Sequence, residues 1–208
     1  MTMIGPMQRD MVPTRREILA LPLAGGALML FRRAAMATTA KTIDDLSAVH
    51  PKASHAARWQ MISDGVMGGL SQGRMQREIV QGRLAIRMQG RVSLENNGGF
   101  IQIALDLDAT GGPIDARSWA GIELDACGNG ETYNLHLRTA DIVRPWQSYR
   151  SSFVASAKWQ THRLPFAAFE AHRIDAPLDL GTLRRIGIVA IGRAFNADLA
   201  ISGLRFFT

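Results

Sequence analysis

Gly69-Leu70-Ser71-Gln72-Gly73 is the first stretch of this 208-residue chain whose spacing could do chemistry. A G-x-S-x-G run lifts a serine nucleophile onto a sharp strand-to-helix turn, with acid and histidine partners further along the chain. Here a glycine-rich loop precedes the serine, and Met75 to Val80 reads as a strand where a helix is needed, so the match is accidental. His50, His55, His136, His162 and His172 are scattered and never stand at zinc-ligand spacing with a cysteine or second histidine. Cys127 is the single cysteine, so it can form no internal disulfide, and no base beside it marks a catalytic thiolate. Gly65, Gly68 and Gly69 lack the spacing and the following helix of a dinucleotide loop. The expectation is therefore no catalytic residue, no cofactor site and no metal site.

Two groups of residues remain as candidates. In Trp59 to Ser71, three glycines within five residues demand an irregular backbone, and Asp64 can cap it by accepting backbone N–H bonds. Asp64, Gly65, Gly68, Gly69 and Ser71 thus form a candidate loop, structural first and a recognition surface second. Arg138, Trp146 and Tyr149, with Arg144 and Arg150 near them, could stack on a sugar ring or a base and make a candidate ligand face. Tryptophan and tyrosine are also common at strand ends, where they pack without binding anything.

The elements that must position these residues read as strands. Leu84-Ile86-Met88, Ile101-Ile103-Leu105-Leu107, Ile122-Leu124-Ala126 and Tyr133-Leu135-Leu137 each alternate with polar or small neighbours, the pattern of half-buried strands. Ile186 to Ile191 is nearly continuous in apolar character, as a strand covered on both faces would be, and Ala197 to Phe206 alternates again. Asn96-Asn97-Gly98-Gly99, Gly111-Gly112-Pro113 and Gly128-Asn129-Gly130 break the runs, and the third should close a β-hairpin. Only Ala167 to His172 could hold a brief helix. The expected fold is all-β, an antiparallel β-sandwich or jelly roll over residues 59–208, with 38–58 as a linker carrying at most one helical turn.

Before that domain lies an address. Arg15-Arg16 precede a charge-free run from Ile18 to Phe31, shorter than the about 20 residues a membrane-spanning helix needs. Ala35-Met36-Ala37 then supplies a small-residue cleavage pattern. Residues 1–37 read as a twin-arginine signal peptide cleaved after Ala37, which sends a folded protein to the periplasm with no stable transmembrane segment. The uncleaved leader kept as a membrane anchor is the alternative. Residues 1–37 hold five arginines against Asp10 and Glu17, so half of the +6 net charge lies there. What remains is too near neutral to make a nucleic-acid surface by charge alone.

WQMISDGVMGGLSQG and GRVSLENNGGFIQI resemble the signature of the complex I intermediate-associated protein 30 family. LHLR at 135–138, Trp146 and Tyr149, KWQTHRLPFAAF at 158–169, RRIGIVAIG at 184–192 and ADLAISGLRF at 197–206 follow in the family's order. The resemblance implies a galactose-binding-like jelly roll, a fold shared with carbohydrate-binding modules. It also implies a non-catalytic assembly factor, a chaperone of the NADH:ubiquinone oxidoreductase, of which an exported member would meet only the outer face of the membrane arm. The expected function is a binding or assembly module contacting a protein partner. A periplasmic carbohydrate-binding protein using the concave face of the sandwich is the alternative, and an enzyme comes third.

Overall fold

A computed structural model describes residues 40–208; the signal peptide expected over 1–37, with Arg15-Arg16 and its cleavage after Ala37, lies outside them. The described residues form twelve strands and four short 3-10 turns. They are β1 (Ala40–Asp44), β2 (Gln60–Ser63), β3 (Gln72–Val80), β4 (Arg83–Val92), β5 (Phe100–Asp106), β6 (Gly121–Gly128), β7 (Thr132–Thr139), β8 (Ser148–Val154), β9 (Gln160–Pro165), β10 (Glu170–His172), β11 (Leu183–Ile191) and β12 (Phe195–Phe207). None of the described helices is long and apolar enough to cross a membrane.

Two six-stranded antiparallel sheets pack face to face. The first runs β3-β4-β12-β6-β9, with β1 added beside β12; the second runs β10-β8-β7-β11-β5-β2. Period-two alternation decides which side chains meet between them. Ile101, Ile103 and Leu105 of β5, Leu135 and Leu137 of β7 and Ile186 and Ile188 of β11 pack against Ile86 and Met88 of β4, Ile122 and Leu124 of β6 and Leu199 and Ile201 of β12. Fully burying each such side chain is worth about 1.5–3 kcal/mol, so this shared layer is the main source of stability. β11 sits between β7 and β5 and is buried from Ile186 to Ala190, as its continuous apolar run requires. β12 is long enough to serve two partners on one side. Residues 195–201 pair with β4 and residues 204–207 with β1, and a bulge at Gly203, with φ at +84°, turns the strand between them.

The sequence reading is corrected in three places. Residues 40–58 are not a linker. β1 zips onto β12, and Ile43, Leu46, Ala53 and Ala57 enter the core. Asp44, 1 % exposed, accepts hydrogen bonds from Leu46 N, Ser54 N, Ser54 Oγ and Trp59 Nε1, the last at 2.7 Å. These donors, not apolar period, order the segment. Gly128-Asn129-Gly130 does not close a hairpin either, because β6 and β7 lie in opposite sheets. Its amides bond across to the β8–β9 connection instead, Gly128 N to Ser156 O and Gly130 N to Ala155 O. Finally, Ala167 to His172 forms the end of a single 3-10 turn and then the edge strand β10, not a helix.

Candidate functional site

The loop between β2 and β3 is built around one buried carboxylate. Asp64 is 0 % exposed. Its Oδ1 accepts from Ser71 N at 2.9 Å, and its Oδ2 accepts from Gly99 N at 2.6 Å, from Phe100 N at 3.1 Å and from the Ser71 hydroxyl. Burial opposes ionisation here, yet the donors at Ser71, Gly99 and Phe100 outweigh it and hold the carboxyl below its ordinary 3.8. Ser71 Oγ in turn accepts from Ser93 N at 2.9 Å, so β3, the end of β4 and the start of β5 are tied to one side chain. Space for this carboxylate exists because two neighbours lack a Cβ. One on Gly69 would stand 2.4 Å from Asp64 Cγ, and one on Gly98 would stand 2.6 Å from Oδ2. Gly68 ends the 3-10 turn Asp64–Met67 at φ +88°, a left-handed conformation that a side chain strains. Gly65 N–H is held by the Ser63 hydroxyl at 3.3 Å.

This framework presents apolar side chains to solvent. Val66 is 75 % exposed, Met67 55 % and Leu70 42 %; Leu94, next to Ser93 in the tied loop, is 54 % exposed. The serine of the accidental hydrolase match is thus a latch, its hydroxyl committed to Asp64 and Ser93. The glycine cluster showed in the sequence, but its exposed apolar residues did not stand out, because a loop has no hydrophobic period.

The structure brings together only part of the expected ligand face. Arg138 of β7 is half-buried and donates to Arg144 O and Pro145 O, both at 3.1 Å, lacing down the loop that carries Trp146. Trp146 is 43 % exposed, with the Arg144 guanidinium 5.5 Å from its ring centre. Tyr149 belongs to the interior: it opposes Leu137 across β7–β8, is 2 % exposed, and donates its hydroxyl to Ala176 O and Pro177 O. The alternation that turns Tyr149 inward turns Ser148 and Arg150 outward. No aromatic platform of Trp146 and Tyr149 forms.

What the outer face of the second sheet does hold is a set of polar rows. One row runs Glu170, Arg150, His136, Gly187, Ala104 and Gln60 across β10, β8, β7, β11, β5 and β2. The next runs His172, Ser148, and then Arg138, Arg185 and Asp106. Arg185 and Asp106 make a two-pronged ion pair at 2.6 and 2.9 Å. Sequence reasoning set Arg150 near the candidate ligand face but passed over His136, which looked like the solvent half of an alternating strand, and Arg185, which stands just before a continuous apolar run.

Cys127 lies on the outer face of the first sheet, packed with Ala85 and Ala200 beside Trp159, and burial pushes its thiol up. Among the described residues no group of three His, Cys, Asp or Glu side chains could hold a metal ion.

Among solved structures the chain is similar to a family 11 carbohydrate-binding module of the cellulosomal cellulase Lic26A-Cel5E of Clostridium thermocellum. The two are 14 % identical, with 82 % of this chain and 95 % of that one covered and a TM-score of 0.65. A family 11 module from Clostridium thermocellum in complex with a β-1,3-1,4-mixed-linked tetrasaccharide matches at 14 % identity, 80 % and 94 % coverage and TM-score 0.63. A family 30 module of the Clostridium thermocellum cellulase Cel9D-Cel44B matches at 12 % identity, 81 % and 90 % coverage and TM-score 0.50. At such identities the likeness is one of fold, the β-sandwich described above. No curated protein matches the chain. The sequence profile of complex I intermediate-associated protein 30 matches residues 49–201, from before β2 well into β12. The chain therefore belongs to the complex I intermediate-associated protein 30 family.

Proposed function

We propose that this protein is a non-catalytic binding and assembly module that docks on a protein partner through the loop end of the sandwich, in the assembly of a respiratory complex. The observation that carries this reading is the apolar group Val66, Met67, Leu70 and Leu94, held open to solvent by the buried Asp64 and Ser71 network. Exposed apolar side chains on a rigid base suit protein contact, since burying them gains free energy without first ordering a floppy loop. Family membership supports the assembly role, and the setting we propose is the periplasm, reached by twin-arginine export.

The test is a strain lacking the gene, in which assembled NADH:ubiquinone oxidoreductase is measured on native gels. The wild-type gene should restore it, and a Val66→Ser, Met67→Ser, Leu70→Ser triple variant of unchanged melting temperature should not. Full restoration by the triple variant removes the loop from the contact, and unimpaired assembly in the deletion strain removes the respiratory role. Lys-Lys in place of Arg15-Arg16 should hold the precursor in the cytoplasm; normal periplasmic levels would overturn the export route.

A second reading, carbohydrate binding, is favoured by the polar outer face of β10-β8-β7-β11-β5-β2 and by the fold likeness to carbohydrate-binding modules.

A further inference from the structure

On that same outer face, arginines gather beside two histidines, and only one of the arginines has a carboxylate partner. Arg150 and His136 face each other across β8 and β7, and Arg138 and Arg185 across β7 and β11; His172 follows on β10. Asp106 is taken up by Arg185. Glu170 opposes Arg150 in register at the sheet edge, yet neither it nor any other described carboxylate forms an ion pair with Arg138 or Arg150. These two guanidiniums spend their hydrogen bonds on neutral oxygens, Arg138 on two carbonyls and Arg150 on Ser148 Oγ at 2.9 Å. Both are partly withdrawn from water, which pushes their pKa down, with Arg185 and Arg184 adding repulsion at Arg138 and Arg173 at Arg150. A folded surface that leaves like charges half-desolvated and unpaired is stabilised by any anion that meets them.

A second observation points to the same place. His136 is 8 % exposed, and its Nε2 is buried with no hydrogen-bond partner. Buried polar atoms are nearly always paired, and this one, opposite Arg150 and two residues from Arg138 on its own strand, has no partner among the described residues. Beside it Gly187 makes room for the Gln102 amide. At Gly187 there is no side chain, and a Cβ there would stand 3.1 Å from Gln102 Oε1 and 3.7 Å from His136 Cβ. Gln60, Gln102, Asn134 and Ser152 continue the face with amides and a hydroxyl, partners for hydroxyl groups rather than for charge.

We propose that this face binds an acidic saccharide, with Arg138 and Arg150 taking its carboxylate or sulfate, His136 adding its unpartnered ring nitrogen, and the amide rows taking its hydroxyls. The inference deepens the carbohydrate reading and rests on it; it is independent of the apolar loop.

Titration calorimetry of the mature protein with trigalacturonate, its neutral methyl ester, a neutral mixed-linkage β-glucan oligosaccharide and inorganic phosphate tests it. Trigalacturonate should bind, weaken with added salt, and lose about tenfold or more in affinity in Arg150→Gln and in Arg138→Gln at unchanged melting temperature, with Arg150→Lys losing less. Equal binding of the methyl ester, or binding of the neutral glucan alone, overturns the acidic preference and leaves the carbohydrate reading standing. Phosphate bound as tightly as trigalacturonate through the same arginines overturns the saccharide class. No binding of any sugar removes both readings. If the Gln variants do not fold, Gln102→Ala and Asn134→Ala should still weaken trigalacturonate and leave phosphate unaffected, and unchanged trigalacturonate binding in both overturns the proposal.

Discussion

At Asp64 an ionised carboxylate survives with no exposed surface because four donors converge on it, and the donors at Gly99 and Phe100 are 35 and 36 residues away in sequence. Asp64→Ala leaves those donors unpaired and should cost about 3 kcal/mol or more in denaturant unfolding. The two glycines beside it should separate by cause. Gly69→Ala drives a Cβ into the carboxylate and should approach the cost of Asp64→Ala, whereas Gly68→Ala meets nothing within 4 Å and carries only the strain of φ +88°, about 1–2 kcal/mol. Equal melting temperatures for the two glycine variants would contradict this geometry. His136 acts over another pH range. Burial, followed by Arg150, His172 and Arg138, lowers it from 6.5 to about 3, so the folded protein keeps it neutral while the unfolded chain protonates near 6.5. The unfolded state then holds more protons, and stability falls as pH drops from 6.5 towards 3. Between pH 6.5 and 5 the loss from this one residue is about 2 kcal/mol. His136→Gln should flatten that part of the curve, leaving the slope from His50, His162 and His172, which burial also lowers. Asp64 has the same sign in a lower window: its contribution is present above 3.8 and is lost only below it.

Among the elements, β1 shows how a strand forms without a strand's sequence. AKTID holds one large apolar residue, Ile43, and its order comes from pairing with the end of β12 and from Asp44. That side chain folds the following turn back on itself through Leu46 and Ser54 and pins Trp59, at the entrance to β2. Asp44→Ala should destabilise the protein by about 2–3 kcal/mol, and Trp59→Phe, which removes one bond from the same carboxylate, by about 1 kcal/mol. Urea unfolding checks both; no loss in Asp44→Ala would return 40–58 to the status of a linker. β6 and β7 teach the reverse lesson. Both have clean alternation and a Gly-Asn-Gly turn between them, yet each finds its inner face on a different sheet.

For the whole molecule, two sheets sharing one apolar layer should open together, as small single domains do. Cys127 reports on this, being 2 % exposed on the outer face of the first sheet, where Trp159 packs against its cluster. In native protein a thiol reagent should label it only at the rate of opening, while Trp159→Ala should speed labelling with the β-type circular dichroism unchanged. Rapid labelling of the wild type would show that the first sheet's outer face is not closed.

The sequence by itself determined the strands with full alternation, the turns with glycine and asparagine at positive φ, the sandwich class and the family. Each of these is written in local spacing: an apolar residue at every second position has one face to bury, and a residue at φ above zero is best a glycine or asparagine. It also marked Asp64 and its glycines as a loop, structural first and a recognition surface second. Only the tertiary structure decided which sheet each strand joins, that residues 40–58 belong to the sandwich, that Tyr149 turns inward while Arg150 turns outward, and that Arg150 and Arg185 join His136 and Arg138 on one face. Those facts depend on partners far apart in sequence. Strand pairing is chosen by the closing of the whole apolar layer, and a polar residue such as Asp44 or Asp64 is buried only where distant donors arrive to meet it.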